Sequence, residues 1–204
     1  MSDEQLMQPR PITVSLATAG QDEYPISRLA PQAYTKVAIV MHWVMALFIL
    51  LNLSVGFFME TFANPSPQRS NVLSYHASIG IVILTLAVFR FGWRLTHQPP
   101  PLPPSIPKSQ RSAAHGLHGV LYALIFVQPI SGYVHRMAGG HPVSFFGLFN
   151  LPVWIGKNES LRLLTDVIHD SGGIVIAILV AGHIGMALKH RFIDRDAVMR
   201  RMIS

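Results

Sequence analysis

The chain has 204 residues, half of them hydrophobic and only 13% charged, with a formal net charge of +6. That balance excludes an ordinary soluble domain and points to a membrane. The absence of cysteine excludes disulfides, thiolate ligation of a metal and CxxCH cofactor attachment.

The first 36 residues lack the charged start and apolar core of a cleaved signal peptide, and 1–33 read as a polar, mobile N-terminal tail. Three charge-free runs, 37–59, 70–89 and 112–135, are each long enough to span a bilayer. A fourth, 171–188, is barely long enough alone and extends outward through His169 and Asp166. Four spans leave little room for a soluble domain. The predicted fold is an all-α integral membrane protein, four transmembrane helices in an up-down bundle over 34–192. A basic C-terminal tail, 193–204, follows.

Arg28 and Lys36 precede span one, and Arg90, Arg94, Lys108 and Arg111 separate spans two and three. Lys189, Arg191, Arg195, Arg200 and Arg201 follow span four. The first loop has only Arg69, opposed by Glu60, and the third has Arg136, Lys157 and Arg162 against Glu159, Asp166 and Asp170. The positive-inside rule therefore places both termini and the 90–111 loop in the cytoplasm. The basic excess is a topology signal. It implies membrane lipid as a partner, and no nucleic acid.

The basic loop contains Pro99, Pro100, Pro101, Pro103, Pro104 and Pro107, a density that favours a stiff polyproline-like connector. In the 136–168 loop, Phe145, Phe146, Phe149, Trp154 and Leu161 alternate with turn residues, as expected of a segment lying on the outer interface. Asn158-Glu159-Ser160 matches a glycosylation sequon, too short a pattern to carry weight alone.

The histidines hold the chemistry. His169 and His183 are 14 residues apart, which puts them about 40° from exact register on one helix face and about 21 Å apart along it. His42 and His183 sit at matching depth near the cytoplasmic ends of spans one and four. His76 and His169 match near the outer ends of spans two and four. Intramembrane histidines are rare and face interiors or functional sites, so two level pairs suit two stacked haems, each held by two imidazoles. His118 competes for the cytoplasmic site at equal depth. Yet span three cannot serve both levels from one face, since His118 and His135 are about 100° out of register. His115 and His118 read either as a pair beside the cytoplasmic site or as interfacial histidines in contact with water. His97, His141 and His190 read as plain interface residues.

Gly56, Gly80, Gly172 and Gly173 suit the close approach of a flat porphyrin, or equally of a neighbouring helix. The rival of another class is a histidine-lined transition-metal transporter. Such a path normally adds carboxylates, and the four apolar runs contain none.

In chain order, Tyr34-Thr35-Lys36 and Met41-His42-Trp43, then His76-Ala77-Ser78-Ile79-Gly80 and Val88-Phe89-Arg90-Phe91-Gly92-Trp93-Arg94, resemble the first two helices of the bacterial cytochrome b561 family. His115-Gly116-Leu117-His118, Leu121-Tyr122 and Pro129-Ile130-Ser131-Gly132 resemble its third helix, and His169 with His183 its fourth. The resemblance runs from about Tyr34 to Arg191; the preceding tail inherits nothing from it. It implies a di-haem inner-membrane electron carrier with two haem b, ligated by His42 and His183 on the cytoplasmic side and His76 and His169 on the periplasmic side. His115, His118, Arg90 and Arg94 are candidate contacts of haem propionates or ubiquinone. Some members are similar to a superoxide oxidase that passes electrons from superoxide to ubiquinone. Others look like cytochrome b subunits that link a multi-subunit dehydrogenase to the quinone pool, and a periplasmic redox protein is the rival donor to superoxide. No catalytic residue is assigned.

Overall fold

The computed structural model describes residues 33–203. The tail expected over 1–33 lies, Ala33 apart, outside them.

Four helices follow in order: α1 Lys36–Met59, α2 Pro67–Thr96, α3 Lys108–Ala138 and α4 Glu159–Phe192. All four are long and apolar enough to cross a membrane. Their 24, 30, 31 and 34 residues exceed the roughly 20 a bilayer requires, so the longer three project beyond it. Three starts are capped by a side-chain oxygen: Thr35 accepts from Ala38 N, Ser66 from Arg69 N and Asn158 from Leu161 N. The asparagine of the sequon is thus a helix cap.

The proline-rich 97–107 connector is free of helix. Arg111 holds it, donating to the carbonyls of Pro103, Pro104 and Ile106. Pro103 O also accepts from Ile106 N at 3.1 Å, a turn that brings the three carbonyls together on Arg111.

Two features differ from expectation. α4 begins at Glu159, a dozen residues before the apolar run, because Glu159 and Arg162 pair along its first turn (2.6 Å) and the Asn158 cap closes its end. Asp166 and Asp170 therefore lie inside a spanning helix, and freedom from carboxylates holds for α1, α2 and α3 but not for α4. The third loop is also partly regular. β1 (Ser144–Phe145) pairs antiparallel with β2 (Phe149–Asn150) around Gly147, whose φ of 76° suits glycine alone. Ser78 of α2, fully buried, anchors this hairpin by accepting from Phe146 N at 2.8 Å and lying 3.0 Å from Ser144 O.

Met45, Ala87 and Ile125 form a small core joining α1, α2 and α3, flanked by Ile49, Leu86, Tyr122 and Phe126. Among the described residues α4 packs closely only on α3. Leu47, Val40 and Ile178 stay more than half exposed, as on a lipid-facing surface. The starts of α1 and α3 and the ends of α2 and α4 form one end of the bundle, here the basal end; the hairpin lies at the distal end.

Candidate functional site

At the distal level, His76 of α2 and His169 of α4 face each other with ring centroids 5.9 Å apart and planes at 90°. An imidazole nitrogen sits about 2 Å from a first-row metal and about 1 Å from its own ring centre. Two trans imidazoles on one metal thus hold their centroids roughly 6 Å apart. His76 Nδ1 lies 3.2 Å from the carbonyl of Asn52, and His169 Nδ1 lies 2.9 Å from that of Gln128. A ring nitrogen facing a carbonyl carries the proton, which leaves Nε2 of each ring with its lone pair free for a metal.

Glycines make room for these rings. A Cβ at Gly56 would stand 3.0 Å from His76 Cε1, and one at Gly132 only 2.8 Å from His169 Cε1. Gly172 admits the Gln128 amide, and Gly80 faces Asn52 and Pro129 at ordinary contact distance. Three of these glycines therefore border the imidazoles or the Gln128 side-chain amide, which donates to the backbone carbonyl of His169, a role distinct from a flat porphyrin approach.

At the basal level, His42 of α1 and His183 of α4 have centroids 6.1 Å apart, and His118 of α3 lies 5.5 Å from the same His183. Position alone brings both candidates to one partner. His42 and His183 are half-buried, whereas His118 is exposed, as is His115 one turn earlier. Beside them, Arg90 donates from Nε to Tyr122 Oη at 3.1 Å, and its buried Nη1 has no partner. Arg94 stacks over the Tyr122 ring at 5.1 Å. Arg90, Arg94, Tyr122 and Tyr34 line a small cavity at this end. Burial raises the Tyr34 phenol above its ordinary pKa, although Arg94 and Arg90 oppose the shift. It stays a neutral donor at physiological pH.

The distal pair opens into a cavity of about 1300 Å³, above the roughly 300–1,000 Å³ of common small-molecule sites. Its rim carries Arg69, Arg136, Lys157 and Arg162, with His135 and His141. Arg69 is bound to Glu60 and Arg162 to Glu159, and His135 faces Asp166. Among the described residues, the Arg136 side chain donates only to the Pro142 carbonyl, and no carboxylate pairs with Lys157.

The donor set fits haem: level pairs of imidazoles, two with a fixed tautomer, and an orphan guanidinium nitrogen at the basal level able to meet a propionate. Asn52, Gln128 and Ser131, whose Oγ lies 3.2 Å from His169 Nδ1, escaped the sequence reading. A polar amide inside an apolar span is the signal that marks Asn52 and Gln128. His190 also departs from its reading as a plain interface residue, being buried and paired with Asp196.

Three relatives match most of the chain. Cytochrome b561 homolog 2 of Escherichia coli (strain K12) is 32% identical over 173 residues, 85% of this chain and 92% of the relative. Cytochrome b561 homolog 1 of the same organism is 26% identical over 170 residues, 83% and 96% of the two chains. A probable superoxide oxidase, CybB of Yersinia pestis, is also 26% identical over 170 residues, 83% and 95% of the two chains. Residues 33–204 match the family described as prokaryotic cytochrome b561. The four spanning helices and the match across them agree, and the chain belongs to the prokaryotic cytochrome b561 family.

Proposed function

We propose that this multi-pass membrane protein carries electrons across the bacterial inner membrane through two bis-histidine b-type haems, from a periplasmic donor to the ubiquinone pool. In this reading His76 with His169, and His42 with His183, would hold the two haem irons, and both termini lie in the cytoplasm. Membrane electron transfer by b-type haem is the chemistry of the family. The observation that carries the finer reading is the pairing of imidazoles at two levels of one helix, at 5.9 and 6.1 Å.

Haem held by two imidazoles supplies a reversible one-electron couple with no open position for oxygen. The chain's own residues do the rest. The carbonyls of Asn52 and Gln128 fix the distal rings, and the lipid-facing shell of α1 to α4 keeps water away. Arg90, Arg94 and the neutral Tyr34 offer donors at the basal end to a propionate or a quinone carbonyl, with His115 and His118 beside them.

Superoxide as donor is supported by the name of the Yersinia relative and by Arg136 and Lys157, rim cations with no carboxylate partner among the described residues. A small anion gains from such a focused positive entrance. Reading the chain as the cytochrome b subunit of a dehydrogenase is favoured by a different observation: Leu148 and Trp154 are about three-quarters exposed on the distal loop, a surface suited to a protein donor. Stopped-flow mixing of the purified, haem-loaded protein with superoxide in the presence of ubiquinone separates the two. Rapid reduction that slows with salt supports the oxidase; haems that superoxide leaves oxidised rule it out. A colourless protein that retains Zn²⁺ along its helices would instead support the transporter.

A further inference from the structure

We infer that the basal end of α4 holds a binding site for one divalent transition-metal ion, with His190, Asp194 and Asp196 as its ligands. This site is independent of the haem reading. His190 is two turns beyond His183, about 10 Å along the axis, and is only 8% exposed in the last turn of the helix.

The chain folds back to build the cluster. Ile193 N and Asp194 N both donate to Lys189 O, and Asp196 N donates to His190 O. Arg195 takes a left-handed conformation, φ 52°, which reverses the backbone. That reversal sets both carboxylates on one imidazole. His190 Nδ1 lies 2.6 Å from Asp196 Oδ2 and 3.3 Å from Asp194 Oδ2, and the three donor atoms all fall within 4.8 Å of one another. Ligands at about 2.0–2.2 Å in a tetrahedron around Zn²⁺ are about 3.4 Å apart. An ion therefore needs sub-ångström spreading of the closest pair, with the two carboxylates, no more than 4.8 Å apart, drawn onto it.

The charges agree. Two carboxylates and a neutral imidazole balance a divalent ion, and the carbonyl end of a helix favours a cation. An imidazole with carboxylates selects zinc-like ions over magnesium or calcium. The opposing feature is Lys189, whose Nζ holds Asp194 at 2.5 and 2.8 Å. Its head is a mobile ammonium on a partly exposed stem, so binding exchanges one cation for another.

The site also has something to hold. Beyond Asp196 the chain runs through the short helix Arg200–Met202. This segment closes on the bundle: Trp43 Nε1 donates to Met202 O at 2.6 Å, and Arg201 Nη1 to Pro101 O at 2.7 Å. A metal at the reversal would staple this segment to α4.

Zn²⁺ titrated calorimetrically into the haem-loaded protein tests the site. One saturable Zn²⁺ per chain is expected, with the haem spectrum unchanged. Affinity should fall about tenfold or more in His190→Gln and in Asp196→Asn, and rise in Lys189→Gln as the competing ammonium is removed. Retained haem absorbance reports that each variant has folded, and if His190→Gln loses it, Asp196→Asn decides. Wild-type affinity in the folded variants, or no saturable binding to the wild type, overturns the site and leaves an ion-paired helix end.

Discussion

Gln128 and His169 clamp each other across α3 and α4. His169 Nδ1 lies 2.9 Å from the Gln128 carbonyl, and the Gln128 amide nitrogen donates at 3.1 Å to the His169 carbonyl. The contact fixes the ring and the backbone that bears it together, so ligand orientation depends on a residue that is not itself a ligand.

Gln128→Leu removes the amide half of that clamp while nearly keeping its volume. Occupancy of the distal haem should fall roughly 10-fold at limiting haem, the usual cost of losing a group that orients a ligand. Haem per chain, measured by pyridine haemochrome, checks this, and the basal haem should persist.

Gly132→Ala places a Cβ 2.8 Å from His169 Cε1, which one of the two must relieve by moving. The distal haem should be lost or its spectrum displaced. Gly92→Ala is the control, with nothing within 4 Å of its Cβ; one turn from the end of α2, it should stabilise the protein by at most roughly 0.5–1 kcal/mol. A thermal melt together with the absorption spectrum reads both. Equal spectra for the two variants would count against the crowding argument.

His42→Ala should empty the basal level, whereas His118→Ala should leave two haems per chain while altering quinone reduction. The reverse result would make His118 the partner of His183, a geometry the 5.5 Å separation also permits. Redox titration followed optically distinguishes the two outcomes.

Arg90→Gln removes a half-buried guanidinium beside His42 and Tyr122. Loss of that positive charge should lower the midpoint potential of the basal haem, because the reduced state gains most from a nearby cation. Arg94→Gln separates a haem contact from a topology anchor: an anchor leaves both potentials unchanged.

Much of this arrangement was legible in the chain. Long apolar runs gave four spans, and helical period with depth put His42, His76, His169 and His183 on two levels. The rest depended on contacts between distant segments. The start of α4 was obscured because Asp166 and Asp170 lower local hydropathy, while the Asn158 cap and the Glu159–Arg162 pair extend the helix through them. The hairpin of the third loop depends on Ser78, which comes from another helix. Gly56 and Gly132 look like packing glycines until the imidazoles of His76 and His169 are seen against them. His190 sits in a basic stretch, and only the reversal at Arg195 shows that two carboxylates return to it.

α4 contributes to both levels, so the interval between His169 and His183 acts as a ruler. Away from Gly172, substitutions within it are absorbed locally, but changes in its length are not. One inserted residue swings the second imidazole by about 100° and advances it by about 1.5 Å, turning it away from α1. Seven inserted residues restore the direction within about 20° while stretching the separation by about 10 Å. Along this interval, the number of residues is held more tightly than their identity.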